Sequence, residues 1–164
     1  MRFRLAVLVA VTSFLTVVSP AAAGPRPATH TVAAAHTAAD DWSFVQHELF
    51  GVSLAQFLTD AVTGDQWFDW STDYCSAPLL GDTGTSYNFR NSCRRHDFGY
   101  RNLRLLDRRY GAGAYWNHAN RLRVDQRFLV DMRNHCATRA WFLKAACRNW
   151  ADTYYAAVRW FGGP

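Results

Sequence analysis

The clearest pattern in this chain is a set of apolar stripes with helical spacing in its second half. Residues that recur every three, four or seven positions lie on one face of an α-helix. Three stretches show this spacing and predict long helices over residues 88–106, from about 116 or 117 to 134, and from about 138 or 139 to 161. Their stripes contain Phe89, Cys93, Tyr100 and Leu103; Leu122, Phe128, Leu129 and Met132; and Cys147, Trp150, Tyr154, Val158 and Phe161.

Two shorter helices are predicted before these. Asp40 and Asp41 would cap the first, and Ser53 with Gln56 forms a capping box for the second, which Gly64 ends. Residues 65–87 show no periodicity and are rich in aromatics and carboxylates, and a long irregular connection of this kind is usually functional. We therefore expect an all-α protein with two long antiparallel helices, clamped by disulfides, and shorter helices packed around them.

Each of the first two long helices carries one polar residue on its apolar stripe, His96 and Asp125. An isolated charge is costly to bury, so Asp125 needs a donor from another element. A pair with His96 would satisfy both groups and fix the imidazole tautomer, so that the second ring nitrogen can take a proton from water. The simpler alternative is a structural core histidine, with Asp97 paired to Arg94 or Arg101 at helical spacing.

The amino-terminal residues predict export. Arg2 and Arg4 precede an apolar run, and three alanines at 21–23 provide a cleavage site, so residues 1–23 have the features of a secretory signal peptide. Residues 24–39 predict a disordered spacer or pro-segment before a helical domain over residues 40–164. Two of the 18 basic residues lie in the first 23, so the net charge falls from +5 to +3 on export. That excess suits an anionic lipid surface and is too small to indicate nucleic acid, and we expect an extracellular monomer.

All four cysteines lie in the exported part. An even number in a small secreted protein indicates two disulfides, and three pairings are possible. We favour Cys75–Cys93 and Cys136–Cys147, because each closes a short loop between predicted helix ends. No CxxC pair is present, which argues against a zinc site.

Two carboxylates are expected beside His96. Asp97 follows it directly, and Asp73 lies two residues before Cys75, so a Cys75–Cys93 bond would bring Asp73 close to Asp97. Two carboxylates with loop carbonyls suit a hard cation such as Ca²⁺ rather than zinc. No G-x-S-x-G motif is present, which favours direct attack by water over a covalent intermediate.

Two segments carry a resemblance to a known family. WSTDYC at residues 70–75, followed by CRRHDFGYRN at 93–102 and a lone Asp125 on the next helix, resembles the prokaryotic and fungal secreted phospholipase A2 family. The resemblance implies that His96 is the general base and Asp125 its orienting partner. It also implies that Asp73 and Asp97 bind Ca²⁺ through their carboxylates and Tyr74 through its backbone carbonyl. The implied reaction is hydrolysis of the sn-2 ester of a glycerophospholipid at a membrane or micelle surface.

The chain departs from the family pattern at two places. Tyr74 stands where an aliphatic residue is common, which matters little because its expected ligand is the carbonyl. Residues 79–86 are more polar and glycine-rich than the family pattern, which leaves substrate entry and headgroup preference open. Asp82 in this segment is interpreted as a turn residue.

Two other functions are consistent with parts of the pattern. A non-catalytic lipid-binding protein on the same scaffold would be marked by loss of a site residue, yet His96, Asp97, Asp125 and Asp73 are all present. A His-Asp metal-dependent phosphohydrolase needs further inward histidines, and His118 and His135 do not share a helix face. Four aromatics of this connection form either an interfacial surface or part of the core: Trp67, Phe68, Trp70 and Tyr87.

Overall fold

The computed structural model of the protein describes residues 36–75, 87–111 and 113–163. Five α-helices span Ala38–Gln46 (α1), Leu54–Asp60 (α2), Arg90–Tyr110 (α3), His118–Ala137 (α4) and Lys144–Phe161 (α5). A π-helical turn, His47–Gly51, extends α1, and a 3-10 turn, Trp141–Leu143, precedes α5. The described residues contain no β-strand, and the expected all-α class is confirmed.

Three sequence predictions fall outside the described residues. They concern the signal segment at 1–23, residues 24–35 of the spacer, and the polar segment at 79–86 with Asp82. Within the described ranges, no helix combines the length and the apolar character that a membrane crossing requires.

The two longest helices, α3 and α4, run antiparallel. Near the start of α3, Arg95 Nε donates to Asp131 Oδ2 of α4 at 2.9 Å. One turn further along α3, Gly99 lies against Val124, which is nearer the start of α4. A Cβ at Gly99 would come within 2.7 Å of Val124 Cγ1, so glycine allows these helices to approach closely. This approach brings the inward faces of α3 and α4 within hydrogen-bonding reach.

Helix α5 packs antiparallel against α4. Its first turns are tied to the end of α4 by the Cys136–Cys147 disulfide, and Arg133 Nη2 donates to Asp152 Oδ1 at 2.8 Å one turn further in. The last turn of α5 therefore lies beside the start of α4. This arrangement sets the end of α5 close to Asp125.

The favoured disulfide pairing is confirmed. Cys75–Cys93 joins the connection after α2 to the first turn of α3, and Cys136–Cys147 joins α4 to α5. Each bond closes a loop of the length that stabilises a small domain by a few kcal/mol. Neither bond joins α3 to α4 directly, so the contact between those helices rests on packing and on side-chain bonds such as the Arg95–Asp131 ion pair.

The apolar side chains form two buried clusters. One lies where the start of α3, the end of α4 and α5 meet, and it contains Phe128. The other joins α1, α2 and the connection to the middle of α3 and contains Tyr100. The ring centroid of His96 lies 4.7 Å from that of Phe128 and 4.2 Å from that of Tyr100, so the imidazole contacts both clusters.

The start of α1 differs from the sequence prediction. Thr37 caps the helix, because its Oγ1 accepts from the amide of Asp40 at 3.2 Å. Asp41, which was expected to cap it, is only 1% exposed and accepts from Trp67 Nε1 at 2.6 Å and Tyr110 Oη at 2.8 Å. The buried carboxylate fastens α1 to the connection and to the end of α3.

The end of α3 also differs. The helix runs to Tyr110, four residues beyond the predicted end. Asp107 lies within the helix, and its carboxylate accepts from the amides of Gly113 at 3.0 Å and Tyr115 at 2.8 Å. The turn begins at Gly111, whose φ of 151° favours glycine.

Candidate active site

His96 and Asp125 face each other across the α3–α4 contact. His96 Nε2 lies 2.8 Å from Asp125 Oδ1, with His96 8% exposed and Asp125 fully buried. An ionised carboxylate can only accept a hydrogen bond, so Nε2 carries the proton and Nδ1 presents its lone pair. Within the described residues no group is bonded to Nδ1. The arrangement leaves a basic ring nitrogen for a small molecule such as water.

Asp125 is surrounded by further donors. Tyr100 Oη donates to Oδ1 at 2.6 Å, and Arg159 Nη1 of α5 donates to Oδ2 at 2.6 Å. Burial by itself would raise the pKa of Asp125, but hydrogen bonds from His96, Tyr100 and Arg159 outweigh it and hold the pKa below the ordinary value. Asp125 is therefore ionised at neutral pH, as an orienting partner of an imidazole must be.

Arg159 and Tyr100, which donate hydrogen bonds to Asp125, both have raised pKa values. The hydrogen bond to Asp125 raises the pKa of Arg159, which stays a cation. Burial, followed by the hydrogen bond to Asp125, raises the pKa of Tyr100, which stays a neutral donor. The protein thus supplies a complete set of partners for the Asp125 carboxylate from α3, α4 and α5.

A cavity of about 360 Å³ opens beside His96. One wall comes from α3 and the residues before Cys75, and it includes Asp73 and Asp97. The opposite wall is apolar and comes mainly from the last turns of α5, with Ala157, Val158, Phe161 and Gly162. The cavity therefore brings a basic nitrogen, two carboxylates and an apolar surface together.

The second carboxylate site is formed by Asp97 and Asp73. Asp97 Oδ2 accepts from Thr72 Oγ1 at 2.5 Å and from the Asp73 amide at 3.2 Å, and Arg101 Nη2 donates to Asp73 Oδ1 at 3.1 Å. Burial is the largest influence on Asp97, and with the charge of Asp73 it raises the pKa of Asp97 to about 6. The simpler alternative, in which Asp97 pairs with Arg94 or Arg101, is wrong, since Arg101 bonds to Asp73 and Arg94 bonds to the carbonyl of Ala61.

Tyr74 has an unusual backbone conformation. Its φ of 57° lies in the left-handed region, which costs a non-glycine residue about 1–2 kcal/mol. Its amide donates to Thr72 Oγ1 at 2.9 Å, and the guanidinium of Arg90 lies 3.8 Å from its ring centroid. The disulfide of the next residue, Cys75, fixes this short turn on α3 and so keeps Asp73 beside Asp97.

The donor set at Asp73 and Asp97 fits a hard divalent cation. Both side chains offer oxygen, and their mutual repulsion at a partly buried position is relieved by positive charge. In the described ranges, no three His, Cys, Asp or Glu side chains are grouped so as to hold a metal by themselves. A cation here would therefore need backbone carbonyls or water in addition to the two carboxylates, which is typical of Ca²⁺ and not of zinc.

Sequence reasoning missed three contributors to this site. Tyr100 was placed on the apolar stripe without a role in the site, although its spacing of four from His96 already put it on the same face. Arg159 had no spacing signal, because it lies 34 residues after Asp125 on another helix. Thr72, which donates to Asp97, is an ordinary loop residue in the sequence.

The aromatic side chains of the connection do not form an exposed surface. Phe68 and Tyr87 are each 6% exposed and belong to the buried clusters. Trp67 is 37% exposed, and the guanidinium of Arg109 lies 3.9 Å from its ring centroid. The interfacial alternative is therefore wrong for Phe68 and Tyr87, which are buried, and Trp70 packs on Phe98, whereas Trp67 stays partly exposed.

Comparison with known proteins points to one family. A family model described as "Prokaryotic phospholipase A2" matches residues 45–162. A "Secretory phospholipase A2" of the fungus Arthroderma benhamiae is 38% identical over 95 residues, which are 56% of this chain and 57% of that protein. A "Secretory phospholipase A2" of Beauveria bassiana is 39% identical over 95 residues, covering 58% of this chain and 44% of that protein. The chain spans about half the length of the curated relatives it matches.

Proposed function

This chain belongs to the prokaryotic phospholipase A2 family, and on that premise we propose that it is a calcium-dependent phospholipase A2. It would hydrolyse the sn-2 ester of glycerophospholipids and release a free fatty acid and a lysophospholipid. The observation that carries the proposal is the 2.8 Å bond between His96 Nε2 and Asp125, which leaves Nδ1 for a water molecule in a cavity that Asp97 also lines.

In the proposed mechanism His96 acts as a general base. Nδ1 takes a proton from a water molecule as its oxygen attacks the ester carbonyl carbon, and the tetrahedral intermediate collapses with breakage of the ester C–O bond. The imidazolium then gives that proton to the departing lysophospholipid oxygen. Asp125 holds the ring in the productive tautomer and stabilises the imidazolium, while Tyr100 and Arg159 hold Asp125.

Attack by water, without a covalent intermediate, is supported by the side chains around the cavity. All four cysteines are bonded in disulfides. Among the described residues that line the cavity, none is a serine or threonine. Tyr100 is the one hydroxyl described next to His96 in the cavity, and its proton is donated to Asp125, so water is the nucleophile that we propose.

We propose that Asp73, Asp97 and the Tyr74 carbonyl hold Ca²⁺. When bound, the ion supplies positive charge for the oxyanion that develops on the ester carbonyl oxygen. The raised pKa of Asp97 supports this assignment, because a partly buried carboxylate next to a second one is stabilised by a cation. Arg101 now bonds to Asp73 and would share that carboxylate with the ion or leave it.

We propose that the protein is secreted as a monomer and acts on a phospholipid membrane or micelle, without a role in nucleic-acid binding. The features of a signal peptide at residues 1–23, the two disulfides and the secretory names of the relatives support export. The predicted boundary between a spacer at 24–39 and a helical domain at 40–164 moves to Thr37 in this proposal, because α1 begins at Ala38. A non-catalytic lipid-binding protein is the alternative, and it predicts vesicle binding without hydrolysis.

The proposal is tested by fatty acid release from phosphatidylcholine vesicles that carry different acyl chains at sn-1 and sn-2. With millimolar calcium we expect release of the sn-2 chain only, and with EGTA we expect none. His96→Ala should abolish release, whereas His47→Ala, which replaces an exposed histidine outside the cavity, should not. Vesicle binding without release by the wild-type protein would leave only the lipid-binding alternative.

A further inference from the structure

Large aromatic side chains are exposed at both ends of α5. At its end, Trp160 is 83% exposed and Phe161 is 71% exposed. Just before its start, Trp141 is 84% exposed and Phe142 is 64% exposed. Large apolar side chains that lie side by side in solvent are uncommon on a protein that binds nothing there, so each pair is a candidate interaction surface.

Only the pair at the end of α5 is continuous with the cavity. Phe161 lines the cavity that contains His96, together with Ala157 and Val158 one turn earlier. A Cβ at Gly162 would come within 2.6 Å of the Tyr100 hydroxyl, so the end of α5 lies directly on the residue that holds Asp125. An apolar path therefore runs from the exposed Trp160 and Phe161 to the ring of His96.

A positive charge lies on the same rim. Arg104 is exposed and lines the cavity, and its guanidinium lies 4.3 Å from the ring centroid of Trp116 and 5.8 Å from that of Tyr100. Stacking on two rings keeps the guanidinium at the cavity edge without the need for a carboxylate partner. Exposed aromatic rings suit the amphipathic headgroup region of a phospholipid bilayer, and a neighbouring arginine suits the negatively charged phosphate groups there.

We propose that Trp160 and Phe161, with Arg104 beside them, form the surface by which this protein docks on a phospholipid bilayer. The aromatic rings enter the headgroup region, Arg104 contacts lipid phosphate, and a lipid reaches His96 along the apolar wall of α5. The choice of a bilayer as partner rests on the proposed function, because the patch continues into the cavity where the ester would be cleaved. Trp141 and Phe142 do not line that cavity and take no part in docking.

The test is co-flotation with phosphatidylcholine vesicles, with and without added phosphatidylglycerol, in EGTA so that hydrolysis does not interfere. The double variant Trp160→Ala/Phe161→Ala should bind at least about tenfold more weakly, because it removes two large apolar side chains from the bilayer contact. Trp141→Ala/Phe142→Ala, which removes a similarly exposed pair, should bind like wild type. Arg104→Gln should weaken binding a few-fold, and only to vesicles that contain phosphatidylglycerol.

Three results would overturn the docking surface. They are unchanged vesicle binding by Trp160→Ala/Phe161→Ala, an equal loss in both double variants, and a wild-type dimer that this variant dissociates without any effect on vesicle binding. If the double variant loses its thermal unfolding transition, Trp160→Glu alone serves instead, since that side chain is 83% exposed. Unchanged vesicle binding by Trp160→Glu would equally overturn the proposal.

A separate assay distinguishes this proposal from the proposed function. Wild-type protein is given dihexanoylphosphatidylcholine below its critical micelle concentration, where no surface is present. Calcium-dependent hydrolysis together with unchanged vesicle binding by the variant means that the docking surface is wrong and the enzyme assignment stands. If neither substrate is hydrolysed and only the variant at Trp160 and Phe161 loses vesicle binding, the enzyme assignment is wrong and the docking surface stands.

Discussion

Asp125 and Asp97 are two carboxylates near the same imidazole, and the protein surrounds them in opposite ways. Asp125 receives hydrogen bonds from His96, Tyr100 and Arg159, and its pKa lies below the ordinary value. Asp97 receives a hydroxyl and an amide, has Asp73 as a neighbour, and its pKa is raised to about 6. Arg159 donates to Asp125 and balances its charge, whereas no cation among the described residues donates a hydrogen bond to Asp97.

In the mechanism that we propose, this difference separates two tasks of ester hydrolysis. A histidine base needs a partner that is ionised and fixed before substrate arrives, and fixed donors at Asp125 provide that. A cation site needs charge that is left for the ion, and donors that neutralised Asp97 would weaken it. The contrast accounts for the placement of arginine: Arg159 bonds to Asp125, whereas within the described ranges Arg101 bonds to Asp73 and no arginine bonds to Asp97.

The largest expected effect comes from Asp125→Asn. The change should lower kcat by about a thousandfold, because the imidazole loses the group that fixes its tautomer. It should also destabilise the fold by about 3 kcal/mol, because Arg159 and Arg121 then lack a buried anion. Activity assays and urea unfolding measure the two effects.

Asp152→Asn is the matched control for that change. Its carboxylate is about half exposed and pairs with Arg133 away from the cavity residues, so both effects should be small. If Asp125→Asn proves as mild as this control, Asp125 is not the partner of a working base.

Arg159 should have an intermediate effect. Arg159→Gln is expected to lower kcat by roughly tenfold with little change in KM, because the side chain acts through Asp125 and does not contact the lipid. Arg159→Lys should recover part of the rate, since a cation near Asp125 is restored without the geometry of the guanidinium. An equal loss in both variants, with KM raised, would mean that Arg159 contributes to substrate binding instead.

The smallest expected effects are in the pH dependence of stability without calcium. A carboxyl whose folded pKa is lowered stabilises the protein above its unfolded pKa, and that contribution is lost as pH falls. Asp125 therefore predicts a loss of stability below about pH 4, which Asp125→Asn should reduce. For Asp97 the sign is reversed, because the folded protein binds its proton more tightly.

The Asp97 contribution should therefore fall as pH rises from about 4 to about 6. Urea unfolding of wild type and Asp97→Asn in EGTA measures it, and the wild type should lose more stability over this interval. Identical slopes for the two proteins would contradict the raised pKa of Asp97.

The sequence predicts one of these two environments better than the other. His96 and Asp125 could be paired because each is a polar residue on the apolar stripe of a long helix, and burial forces such groups to meet. The partners of Asp125 beyond His96 could not be deduced in the same way. Arg159 is one of 18 basic residues, and only the antiparallel packing of α5 on α4 selects it.

The connection before α3 shows the same limit. The proximity of Asp73 to Asp97 could be predicted from the favoured Cys75–Cys93 bond, which holds the end of the connection on α3. The burial of its aromatic side chains could not be predicted, because composition does not distinguish a ring that packs against α1 from a ring in solvent. Phe68 and Tyr87 are buried, and the most exposed aromatics of the described residues lie at the two ends of α5, where helical periodicity had assigned Phe161 to an apolar stripe.

Calorimetric titration of calcium into wild type, Asp97→Asn and His96→Asn tests the contrast most directly, because it reports on the ion without reference to catalysis. We expect wild type and His96→Asn to bind one calcium ion per chain with similar affinity, and Asp97→Asn to show no binding in the same range. His96→Asn should nevertheless be inactive. Equal calcium binding by wild type and Asp97→Asn would show that the unbalanced carboxylate is not a cation site and would contradict the account.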